Sequence, residues 1–198
     1  MKKRILLISM AIALVLVLAC LAACGDNNGQ LSKINKLLDV SYSRVKITVT
    51  TKVSDVELKG EYVLTFDGDV TNVEFSYEEL GELGFEGSND GFKHTVSGTA
   101  VVKDGVVISD NQEADLNTAR LNFTGLSFKQ AYFKNVKSIS NKFEADVSSP
   151  KGFLGNSQFD GTDMHVKVVY STAALVQIVM TYVSEGGAEV GITYVFSA

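Results

Sequence analysis

The stretch RVKITVTTKVSDVELKGEYVLTF, residues 44–66, decides the fold. Val45, Ile47, Val49 and Val53 alternate with Arg44, Lys46, Thr48, Thr50 and Lys52. A period of two marks a strand with one buried face. Beyond Ser54-Asp55 the alternation resumes, with Val56, Leu58, Gly60, Tyr62, Leu64 and Phe66 set against Glu57, Lys59, Glu61 and Thr65. A two-residue loop at Ser54-Asp55 pairs Val53 with Val56, Ile47 with Tyr62 and Val45 with Leu64. Turn and faces therefore agree independently.

The pattern continues in both directions. Thr71, Val73, Phe75 and Tyr77 form a third strand against Asn72, Glu74 and Ser76; a loop at Asp67-Gly68 pairs Leu64 with Thr71 and Tyr62 with Val73. Phe92, His94, Val96, Ala100 and Val102 share a face. There a two-residue turn at Asp104-Gly105 pairs Val102 with Val107, so a three-residue loop, Lys103-Asp104-Gly105, is expected, pairing Val102 with Val106 and Ala100 with Ile108. The same device at Glu185-Gly186-Gly187 aligns Tyr182 with Val190, Met180 with Ile192 and Ile178 with Tyr194. The alternative for this last pair is a strand buried on both faces, since Leu175, Val179 and Val183 are apolar too. Ile139, Phe143, Ala145 and Val147 read as one further strand, and Met164, Val166, Val168 and Tyr170 as another.

Helical spacing is rare. Leu31, Ile34, Leu37 and Leu38 predict a short helix capped by Ser32, and Leu126, Phe128, Ala131, Tyr132 and Phe133 a second capped by Ser127. The expectation is a mainly β (α+β) domain, an antiparallel meander of nine or ten strands with one or two short helices. A curved open sheet or half-barrel with a helix in its mouth covers the apolar face that a flat sheet of this width leaves bare.

The N-terminus is of another kind. Lys2, Lys3 and Arg4 precede an apolar run from Ile5 to Leu18, broken only by Ser9 and shorter than the roughly 20 residues that span a bilayer. Leu21-Ala22-Ala23-Cys24 follows. This stretch resembles the lipobox of bacterial lipoproteins, which implies cleavage before Cys24 and diacylglyceryl on its thiol. Cys20 is a poorer match, because Val17-Leu18-Ala19 puts bulky Leu18 where the lipobox wants something smaller; an ordinary secretory signal is the alternative. The resemblance divides the chain into a signal peptide, 1–23, a lipidated cysteine with a polar tether, 24–30, and an exported domain, 31–198. Six tether residues reach about 20 Å when extended. The implied location is the cell membrane or, in a two-membrane organism, the outer membrane, to which Gly25 after the cysteine points. The helix-then-meander order behind a lipobox also resembles, in layout, the periplasmic lipoprotein-carrier half-barrels; no motif residue carries over.

Composition narrows the function classes. The 18 basic and 23 acidic residues become 15 and 23 beyond residue 23, so the domain is acidic and lacks the Lys/Arg cluster a nucleic-acid binder needs. Cys20 and Cys24 are the only cysteines. Disulfides, thiolate metal sites and a cysteine nucleophile are excluded from the domain. His94 lies on the apolar side of its strand and His165 on the polar side of another, neither near a second His or a Cys, so no metal is expected. Asp67-Gly68-Asp69, Asn89-Asp90-Gly91 and Asp160-Gly161-Thr162-Asp163 resemble calcium-loop fragments but lack the spaced ligand set. Glu78, Glu79 and Glu82 read as a solvated turn. No nucleophile elbow or phosphate loop is present. An enzyme is not expected, nor is a cofactor.

What remains is apolar surface in segments without alternation. Phe128, Tyr132 and Phe133, then Phe153, Leu154 and Phe159, either plug the core or line a groove for an apolar ligand, with Phe128, Tyr132, Phe133, Phe153 and Leu154 as its gate. The reading is a membrane-tethered, non-catalytic binding domain for a lipid-like or apolar ligand in the concave sheet. Its alternative is an envelope structural or protein-interaction module acting through its sheet surface.

Overall fold

The computed structural model of the chain describes residues 27–80, 93–104, 106–110 and 123–197. The signal segment, Cys24, Glu82, Asn89-Asp90-Gly91, Phe92 and Gly105 lie outside these residues. The element order is α1 (Asn27–Leu38), β1 (Arg44–Val53), β2 (Val56–Asp67), β3 (Val70–Leu80), β4 (Lys93–Lys103) and β5 (Val106–Asp110). A 3-10 turn (Gln130–Tyr132) then leads into β6 (Phe133–Ile139), β7 (Lys142–Val147), α2 (Pro150–Leu154), β8 (Thr162–Tyr170), β9 (Leu175–Val183) and β10 (Glu189–Ser197).

All ten strands belong to one antiparallel sheet in the order β5-β4-β3-β2-β1-β10-β9-β8-β7-β6. Two five-strand meanders meet where β1 pairs with β10, and among the described residues β5 and β6 are the edges. This is the mainly β, open antiparallel architecture that the alternation predicts.

Four of the hairpins test the turn arithmetic. At β1–β2, Val53 pairs with Val56, Ile47 with Tyr62 and Val45 with Leu64, as read from the sequence. At β9–β10 the three-residue loop also forms: Tyr182 pairs with Val190, Met180 with Ile192 and Ile178 with Tyr194. Gly187 closes it at φ 79°, donating its N–H to the Ser184 carbonyl at 2.9 Å. The β2–β3 register is corrected by two residues. Its turn is Gly68-Asp69, which pairs Asp67 with Val70, Leu64 with Val73 and Tyr62 with Phe75. An even slip keeps every side chain on its face, and Gly68, at φ 58°, takes the first loop position where a II′ turn favours glycine.

The β4–β5 loop is corrected as well. Lys103 pairs with Val106 and Val102 with Val107, the two-residue turn the alternation argued against. A register shift between Val101 and Val102 accommodates it, leaving Val107 inward and Val106 and Ile108 exposed. The strand expected across Ile139–Val147 is instead the hairpin β6–β7, turning at Ser140 (φ 51°) and Asn141. The helix expected around Leu126–Phe133 is only the 3-10 turn, and Phe133 opens β6. The second helix is α2, with Pro150 in its first turn and Gly155 ending it at φ 64°. Glu78 and Glu79 are still strand, in β3.

α1 starts four residues before Leu31, so most of the expected tether is helix and Ser32 is an exposed position inside it. Its apolar stripe is as read: Leu31, Ile34, Leu37 and Leu38 are buried. Tyr42 ties the helix to the sheet, its hydroxyl donating to the Leu37 carbonyl at 2.7 Å and accepting from the Leu175 N–H at 2.9 Å. One core follows from one buried face. Val45, Ile47, Leu64, Val73, Phe75, Phe143, Val166, Ile178 and Tyr194 all belong to it, with α1 and the 123–133 segment packed upon them. β9 buries Ile178 and Met180 but exposes Val176 and only half-buries Val179, so the sheet is one-sided there.

Candidate functional site

The inner face of β8–β10 is not completely filled. Met164, Met180, Tyr182, Ile192 and Tyr194 form the floor of a half-open cleft of about 620 Å³, roofed by Leu126 and the segment from Leu154 to Asp160. The register explains the floor, since Met180 faces Ile192 across β9–β10 and Met164 lies two residues from Val166 on the same side of β8. The size falls within the roughly 300–1,000 Å³ of small-molecule sites.

The lip is polar where the floor is apolar. Asn156, Ser157, Gln158 and Asp160 line it. Its shape is set locally. The Asn156 N–H donates to the Lys151 carbonyl at 3.1 Å, and the Asn156 side-chain oxygen accepts from the Gln158 N–H at 2.9 Å, a turn that asparagine favours. Phe159 then meets Tyr182 edge to face, with ring centroids 5.0 Å apart. A Cβ at Gly161 would come within 2.5 Å of the Phe159 ring and 2.7 Å of the Tyr182 ring, so glycine alone leaves that wall in place.

The five gate candidates separate. Phe128, Phe133 and Phe153 are buried, their centroids 5.2 to 5.7 Å apart, and with Phe143 they pack the space under α2 and the 3-10 turn. Tyr132 lies over Gly152, where an added Cβ would meet its ring at 2.8 Å. Of the five, Leu154 alone lines the cleft. The floor residues read from sequence as ordinary inward strand positions, because alternation does not distinguish a covered position from an uncovered one. Phe159, singled out in the sequence with the five but not as a gate, lines the cleft too, within Gly155–Gly161, seven residues without alternation.

The titratable clusters lie elsewhere. His165 sits on the outer face between two carboxylates, Nδ1 3.0 Å from Asp146 Oδ1 and Nε2 3.2 Å from Glu144 Oε1. Asn135 Nδ2 donates to Asp146 Oδ2 at 2.7 Å, and Lys167 Nζ lies 3.7 Å from Glu144. The Asn135 hydrogen bond, with that of His165 second, holds the Asp146 carboxyl below its usual range. His94 is exposed, 2.6 Å from Glu79. Asp67-Gly68-Asp69 spans the β2–β3 turn, and Asp160-Gly161-Thr162-Asp163 enters β8, with Asp163 at φ 50° beside a register shift. Among the described residues no group of three or more His, Cys, Asp or Glu is arranged to hold a metal ion.

No helix among the described residues is long and apolar enough to cross a membrane. No protein-family model matches this chain, and no curated protein matches it.

Proposed function

We propose that this chain is a bacterial lipoprotein, anchored through acylated Cys24 on the outer side of the cell membrane or on the outer membrane. Its domain binds a lipid-like amphiphile on the inner face of the sheet without catalysing a reaction. The cleft over β8–β10 carries this reading, because its apolar floor and polar lip suit an acyl or isoprenoid body with one polar end. Leu21-Ala22-Ala23-Cys24 supports the anchor. Two or three acyl chains hold far more firmly than one, at about 0.8 kcal/mol per buried methylene.

The test is native mass spectrometry of residues 25–198, purified from a membrane-containing host. The buried core lies between Leu31 and Phe196, so this piece keeps all of it. An adduct that extracts into organic solvent is expected. A clean apo mass with nothing extractable refutes the ligand.

One observation favours a second reading, a protein-interaction module of the envelope. The edge strand β5 exposes Val106 (62%) and Ile108 (57%), and an edge with apolar side chains invites a partner strand. Crosslinking from position 108 in cells decides it: a discrete protein adduct supports this second reading, and its absence removes it.

A further inference from the structure

The first turns of α1 are fastened to the β6–β7 turn. Gln30 Nε2 donates to the Ser140 carbonyl at 3.3 Å, and the Tyr170 hydroxyl donates to the same oxygen at 3.3 Å. The Tyr170 N–H donates to the Asn141 carbonyl at 3.0 Å, and Lys33 Nζ stands 5.0 Å from the centre of the Tyr170 ring. Only three residue steps separate Cys24 from Asn27, at most about 10 Å of chain. A lipid on Cys24 therefore confines the start of α1, and Ser140-Asn141 with it, to the neighbourhood of the bilayer.

The side chains at that turn suit the place. Ile139 is 74% exposed, more than any other large apolar residue described. It pairs across the hairpin with Lys142, and Lys137 lies two residues back on the same outer face. Among the described residues neither lysine forms an ion pair. The facing carboxylate, Glu144, is engaged by His165 and Lys167. An apolar tip flanked by ammonium groups, on a domain whose acidic residues outnumber its basic ones by 23 to 15, is what an anionic headgroup layer accepts.

We propose that Ile139, with Lys137, Lys142 and Lys33, is the surface on which the domain rests on the bilayer that holds Cys24. The proposal rests on the lipoprotein reading above. It fixes an orientation. β8 runs from Thr162, beside the cleft lip, to Tyr170, at the membrane tip, and nine strand residues span about 30 Å. The cleft then opens away from the anchoring membrane, and its ligand arrives from the other side.

The test uses the acylated full-length precursor's product in phosphatidylglycerol–phosphatidylethanolamine vesicles with brominated acyl chains. With Cys24 acylated and Cys20 removed with the signal, Ile139→Cys supplies a single thiol for an environment-sensitive fluorophore. Val53→Cys, exposed at the opposite end of the sheet, is the control. Flotation with the vesicles and at least fivefold stronger quenching at 139 than at 53 are expected, weakened by Lys137→Gln with Lys142→Gln. Flotation with equal quenching at both positions overturns the docking surface and leaves the anchor standing. Failure to float, with no palmitate incorporated, overturns the anchor and the docking surface together.

Discussion

At the scale of single residues, Tyr42 is the most informative side chain. Its hydroxyl joins the end of α1 to the start of β9; its removal takes the acceptor from the Leu175 N–H, while the Leu37 carbonyl keeps the Val40 N–H at 3.4 Å. Tyr42→Phe is expected to cost about 1–3 kcal/mol in urea unfolding. Burial, opposed by the Leu175 hydrogen bond, pushes the Tyr42 phenol above its usual value near 10, and burial does the same at Tyr170. Both groups stabilise the fold below pH about 10, and that contribution is lost as pH rises from there through their folded values. Alkaline unfolding should therefore begin above pH 10, with a shallower slope in Tyr42→Phe; an unchanged slope contradicts it. Phe153, wholly buried between Phe128 and Phe133, is the residue whose loss should hurt most, about 3–5 kcal/mol for Phe153→Ala by the same measurement. Tyr42's two partners were not readable in advance. Leu175 lies 133 residues away, and no periodicity reports a side chain that crosses between elements.

At the scale of elements, what could be read depended on whether the ladder is regular. β1, β2, β8 and the β9–β10 loop keep period two over the residues that were read, and their faces follow from the sequence. β6 does not. Asn135 adopts φ 53° and the register shifts between Lys134 and Lys137, so Phe133 and Val136 both turn inward at a spacing of three. Such spacing imitates a helix, and a β-bulge is the physical reason. The Ile108 side chain was misplaced for a different reason: the two-residue turn sets Val107 opposite Val102, which puts Val106 and Ile108 on the outer face. Asn135→Ala should then do two things: lose about 1–2 kcal/mol, since alanine resists positive φ, and return the Asp146 carboxyl toward its ordinary range. Asp146 contributes stability above the usual carboxylate range near 4, and that contribution is lost as pH falls through its depressed folded value. Carboxyl-carbon NMR titration of Asp146 in both proteins checks this. An Asp146 midpoint that does not rise in the variant refutes the role given to Asn135.

At the scale of the whole molecule, the sheet's width is matched by what lies on it. α1 and the 123–133 segment fill most of the inner face of β6–β10 and β1, and the uncovered remainder over β8–β10 is the cleft. The open sheet was legible because ten strands with one apolar face each need an interior. The cleft was not, because it depends on where a seven-residue loop stops covering strands distant in sequence. Leu154 and Phe159 are where the two readings meet, residues picked out from sequence that also line the cleft. The central claim, a tethered domain with an amphiphile site, is tested most directly by titrating residues 25–198 with a fluorescent fatty-acyl probe. Saturable binding of one probe per chain is predicted, weakened at least tenfold by Leu154→Arg and by Gly161→Val, with both variants folded by circular dichroism. Absence of saturable binding, or binding that neither substitution alters, would contradict it.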